Sequence, residues 1–117
     1  MKHAYVEALP HFRGEAPTGA TFSLLSAEPK PITLFGGQPA EIKIIRTGLE
    51  AALPKGYALC VFPIPALMHQ RGVSATPFTL TSESFGEIKV VINNIGDETF
   101  IVFPGDRVAD AVIVRTL

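Results

Sequence analysis

Few side chains in this 117-residue chain are of types that do chemistry, and their spacing narrows the options further. The histidines are His3, His11 and His69. No pair of them has metal-ligand spacing and no acidic cluster accompanies them, so a zinc centre is not expected. Cys60 stands alone, which excludes an intramolecular disulfide and a cysteine-ligated metal cluster. It lies in the apolar run YALCVF, where a thiol reads as a small buried hydrophobe. No nucleophile elbow and no Cys–His pairing signal is present. Gly36 and Gly37 are followed by no helix signal, so they read as a hairpin turn, not a phosphate-cradling loop. His69, Gln70 and Arg71 form a short polar stretch, either a solvated turn or a contact surface for a partner or small ligand.

The elements that must carry these groups are short. Ten glycines and ten prolines punctuate the chain every few residues, leaving few windows long enough for an ordinary helix. Between them lie segments rich in Val, Ile, Phe and Thr, the pattern of an all-β sandwich or barrel. Strands are expected at HAYVEAL, TFSLLSA, ITLF, AEIKIIRTGL, YALCVFP, TPFTLT, GEIKVVIN, TFIVF and VADAVIVRT. In AEIKII the side chains alternate, with Ile42 and Ile44 on one face and Glu41 and Lys43 on the other. TFIVF is apolar on both faces, which calls for one cover from the domain's own core and a second from another subunit. A single helical turn is expected near ALMHQ, and turns at LPKGY and FPGD. No repeat or linker is visible, so residues 1–117 read as one domain.

Composition sets outer bounds. Apolar residues make up 47% of the chain, which argues against disorder. The formal net charge of -1 gives no electrostatic case for nucleic acid. No apolar run approaches the ~20 residues of a bilayer span, so no membrane is expected. The opening MKHAYVEALPHF has no apolar signal core, and the expected compartment is reducing cytoplasm, of a cell or an infected host, with a virion as the other location.

Two blocks in register, GEIKVVINNIG and PGDRVADAVI, resemble the G-E-I-x-V-x-L-x-N and G-D-R-I-A-Q-L-V-I of the homotrimeric dUTPase family. TGLEAALPKGY is similar to that family's T-G-[IL]…[IL]-P-x-G-Y strand and turn. The similarity runs from about Pro17 to Ile113. It implies an all-β, jelly-roll-like β-barrel, a homotrimer, and descent from enzymes that cut dUTP to dUMP and pyrophosphate. The implied site residues are altered, however. Ser23 stands in the place of an Asp that helps hold the magnesium-bound triphosphate, and a neutral hydroxyl is a poor partner for a hard cation. Ile64 and Pro65 replace an Arg and a Ser that grip phosphate, and Pro65 has no backbone N–H. Thr81 replaces the Asp that orients the attacking water, Ser84 the Tyr that packs on deoxyribose, and Phe85 an Arg. Glu83 keeps a carboxylate two residues on, about 6–7 Å along the same strand face. Asp110 replaces a Gln and, facing phosphates, would repel them. The Gly-rich fifth motif is not found before the sequence reaches VIVRTL. Asp106 and Arg107 match family residues, as a functional pair or as a turn brace or salt bridge.

The expectation from these residues is a homotrimer that is not an enzyme. It would serve as a structural or protein-binding module, such as a virus or phage accessory or capsid-decorating protein. A trimer that binds nucleotide without hydrolysis is the alternative, and an active dUTP pyrophosphatase comes third. No cofactor or metal is expected, nor affinity for dUTP or dUMP, and Ile64, Phe85 and His69 should be buried or face a protein partner. The trimer interface is expected at Phe100, Val102, Val112 and Val114, and a partner surface at His69, Gln70 and Arg71.

Overall fold

The computed structural model describes residues 2–3, 21–50, 52–84 and 86–116. His11 and Phe85 lie outside the described residues. Along the chain run β1 (Lys2–His3), β2 (Thr21–Leu25), β3 (Ile32–Leu34), β4 (Glu41–Glu50) and β5 (Tyr57–Phe62). Helix α1 (Pro65–Arg71) follows, then β6 (Val73–Ala75), β7 (Phe78–Thr81), β8 (Glu87–Asn94), β9 (Phe100–Val102) and β10 (Arg107–Arg115). The all-β class is what the sequence predicts. Three sheets form, in the orders β1-β4-β8-β6, β2-β10-β5-β7 and β3-β9. Among the described residues they do not close into the expected barrel. Edge strands β6 and β7 have only three and four residues, too few to carry a ladder around a closed circle.

The sheets share one core. Leu24, Leu59, Val61, Ala111 and Ile113 from the β2-β10-β5-β7 sheet meet Ile45, Val73, Ile88, Val90 and Ile92 from the β4 sheet. Leu34 and Val102 from β3 and β9 complete it. Burying side chains of this size stabilises by about 1.5–3 kcal/mol each. Three polar residues are buried among the described ones, Ser26, Thr47 and Asn94. Asn94 is fully buried and satisfied: its amide donates to Leu34 O (3.0 Å) and Glu98 O (2.9 Å), and its oxygen accepts from Gly96 N (3.0 Å).

Two strands point differently from what their apolar content suggests. β4 alternates as expected, but its core face is carried by Ile45 and Thr47, while Ile42 and Ile44 are 62% and 61% exposed. In β9, Val102 is buried and Phe100 packs on the core. Ile101 and the following Phe103 point outward, 40% and 51% exposed. The helix is also longer than the single turn expected. Pro65 sits at its first position, where a missing N–H costs nothing. Gly72 ends it in the left-handed region (φ 68), with its N–H on Met68 O at 3.1 Å.

Candidate functional site

The sheet β2-β10-β5-β7 carries most of the residues singled out in the sequence. Asp110 on β10 is paired with Ser23 on β2 and with Phe62 on β5. Val112 is paired with Thr21 and Cys60, and Cys60 in turn with Thr79. Val114 is paired with Ala58, and Ala58 with Thr81 at the end of β7. Directly opposed residues share a face. Since Ala109, Ala111 and Ile113 are buried in the core, Ser23, Asp110, Val112, Val114 and Thr81 all lie on the opposite, outward face. Cys60 is partly exposed there and accepts a weak contact from Thr79 Oγ1 at 3.9 Å, so it is not the fully buried thiol expected.

The face has two ends. At one, the Asp110 carboxylate receives Arg107 Nη2 on both oxygens, at 2.9 and 3.1 Å, and the Ser23 hydroxyl at 3.3 Å. At the other, Thr81 and Ser84 close the turn from β7 to β8. Thr81 N donates to Ser84 Oγ at 3.0 Å, Ser84 N to Thr81 O at 3.0 Å, and Glu83 N to Thr81 Oγ1 at 3.3 Å. Four residues of β10 separate the Asp110 and Val114 levels, about 13 Å along the strand. Two strands across add roughly 10 Å. One chain therefore does not bring Ser23 and Asp110 together with Thr81 and Ser84.

Ile64 and Pro65 lie where β5 hands over to the helix. Ile64 is buried as the residue preceding α1, and Pro65 is exposed. Beside them a cleft of about 280 Å³ is lined by Ile64, Ala66, Leu67, Phe100, Asp106 and Arg107. Asp106 braces its turn, with Oδ2 accepting Phe103 N at 2.9 Å. A second cleft of about 300 Å³ lies between the end of α1 and the β8–β9 loop, lined by Gln70, Arg71, Gly72, Gly96, Asp97 and Glu98. Arg71 holds the helix end to β9, donating to Thr99 O at 3.3 Å with its guanidinium 5.3 Å from the Phe100 ring centre. His69 and Gln70 are exposed.

Among the described residues no group of three or more His, Cys, Asp or Glu is placed to hold a metal ion. The magnesium implied by the resemblance therefore has no such centre among the described residues. This face offers it the Asp110 carboxylate, already bound to Arg107, and the fit is poor.

The description "dUTPase" belongs to the family model that matches residues 11–117. The chain is 32% identical over 117 residues to the deoxyuridine 5'-triphosphate nucleotidohydrolase of Rickettsia felis, covering 94% of this chain and 77% of that protein. It is 37% identical over 107 residues to the enzyme of the same name from Chlamydia pneumoniae, covering 90% of this chain and 70% of that one. Among solved structures, the dUTPase of Staphylococcus bacteriophage 80alpha superposes with a TM-score of 0.73 at 17% identity, covering 91% of this chain and 82% of that chain. The EIAV dUTPase gives 0.70 at 24%, covering 83% and 76%. These relatives overturn the expectation of a non-catalytic structural or capsid-decorating trimer, because proteins similar over nearly the whole chain are named as hydrolases. The geometry shows why substitutions counted one by one mislead. Ser23 and Asp110 are cross-strand partners, so this face still holds a carboxylate with a hydroxyl and a guanidinium each hydrogen-bonded to it.

Proposed function

The chain belongs to the dUTPase family, and from that premise we propose that it hydrolyses deoxyuridine triphosphate to the monophosphate and pyrophosphate. The observation that carries the reading is 32–37% identity, over 90–94% of this chain, to proteins named deoxyuridine triphosphate nucleotidohydrolase. The altered positions mean that part of the chemistry is done by other groups than the family pattern supplies. Thr81, with its hydroxyl engaged in the turn, does not take up a proton near neutral pH. Glu83, exposed in the same turn, is the carboxylate assigned to orient water. Ser84 lies beside it.

Because the Asp110 end and the Thr81 end of the face lie apart in one chain, the complete site is assembled between subunits of a homotrimer. The exposed apolar groups support that assembly. Val112 and Val114, half-buried, run along the same face from the Asp110 end to the level of Thr81. Ile101 and Phe103 extend the apolar surface at β9, where Phe100 and Val102 are turned into the chain's own core. Ile42 and Ile44 provide a further apolar face on β4.

Steady-state pyrophosphate release from dUTP, with dCTP, dTTP and UTP as controls, is the test. Release from dUTP well above the controls supports the reading. Equal, background-level release from all four, by protein shown to be folded, refutes it.

A further inference from the structure

We propose that Arg107 binds a phosphate oxygen of the substrate and that Asp110 is its positioning residue, an inference resting on the reading of the chain as a triphosphate hydrolase. Arg107 opens β10 and lines the 280 Å³ cleft. Its side chain is 53% exposed, whereas that of Asp110 is 13% exposed. The carboxylate is held from two strands, by Arg107 Nη2 at 2.9 and 3.1 Å and by the Ser23 hydroxyl at 3.3 Å. One nitrogen of the guanidinium is thereby anchored. Nε and Nη1 have no hydrogen-bond partner among the described residues. A planar fork fixed at one corner presents its remaining donors in a set direction, the arrangement that takes a phosphate through two parallel hydrogen bonds.

The rest of the cleft leaves this role to Arg107. Ile64, Ala66, Leu67 and Phe100 are apolar, and the Asp106 carboxylate is turned to the Phe103 N–H. Among the described lining residues Arg107 is the one cation. Apolar walls strengthen a charge interaction by excluding water. Asp110 lowers the net charge of the pair, so its contribution is orientation rather than attraction. An i,i+3 ion pair whose guanidinium is open to water adds little to stability. Substitutions here therefore leave a folded protein in which binding can be read.

The experiment is calorimetric binding of dUTP and of inorganic pyrophosphate to the full chain, alongside Arg107→Lys, Arg107→Gln and Asp110→Asn. Both Arg107 variants are expected to weaken both probes by about tenfold or more, since Lys keeps the charge but loses the fork. Asp110→Asn should weaken them several-fold, raising KM for dUTP more than it lowers kcat. Melting temperatures should stay within about 4 °C of wild type. Folded Arg107 variants that bind both probes within twofold of wild type overturn the proposal, as does wild-type protein that binds neither. Wild-type protein that turns over no dUTP, but loses pyrophosphate binding on Arg107→Gln, supports the Arg107 site while refuting the hydrolase reading.

Discussion

Ser23 and Asp110 look like two independent losses when each is set against a motif. In the folded chain they are one position, because they face each other across β2 and β10 with the hydroxyl on the carboxylate at 3.3 Å. Register is what joins them, and it is not visible along either strand alone. Thr81 and Ser84 tell the opposite story. Their side-chain oxygens close the β7–β8 turn, so their hydrogen-bonding capacity is largely taken up locally. The same turn carries Glu83 outward into solvent. If Glu83 orients the attacking water, Glu83→Gln should lower the single-turnover rate on dUTP by on the order of 10²-fold, with Thr81→Ala affecting it far less. An undiminished rate for Glu83→Gln removes Glu83 from the chemistry.

Among the elements, β4 shows most plainly where sequence stops being informative. Its alternation was legible, and so was its length. Which face turns inward was not, because Ile42 and Ile44 are as apolar as Ile45 and only the pairing with β8 decides. Eight strands were legible from β-branched runs between turns, while the ninth expected one, HAYVEAL, lies outside the described residues but for His3. β6 was not, since three residues are too few to show a period. The β4–β8 pairing carries its own lock. Glu87 accepts Arg46 Nε at 3.0 Å and Gly48 N at 2.9 Å, where the ladder slips its register and Gly48 takes a positive φ of 70. Burial pushes the Glu87 carboxyl up, but the Arg46 guanidinium and the Gly48 N–H outweigh it and hold it below the ordinary 4.5. A carboxyl depressed in the folded state contributes stability above its unfolded value and loses it as pH falls through the folded one. Glu87→Gln should therefore cost about 1–2 kcal/mol in urea denaturation at pH 7. The difference from wild type should shrink below about pH 4.5. A cost independent of pH would mean that packing, not charge, holds the bulge.

At the scale of the whole molecule, a single chain exposes apolar side chains on β4 and at the β9 edge, and leaves Val112 and Val114 half-buried on the outward face of β10. It also separates the two ends of its candidate site. A trimer accounts for both, and burial within the chain separates two superficially similar substitutions. Val102 is 1% exposed, so Val102→Asp should yield unfolded or insoluble protein by placing a charge in the core. Val112 is half-buried on the outward face, so Val112→Asp should yield folded monomers by sedimentation. Wild-type protein that sediments as a monomer at micromolar concentration would refute the assembly. Phosphorus NMR of dUTP incubated with the wild-type protein reads out hydrolysis itself. A hydrolase replaces the triphosphate signals by dUMP and pyrophosphate in equal amounts, and heat-denatured protein leaves them unchanged. A triphosphate spectrum unaltered by folded trimer would contradict hydrolysis.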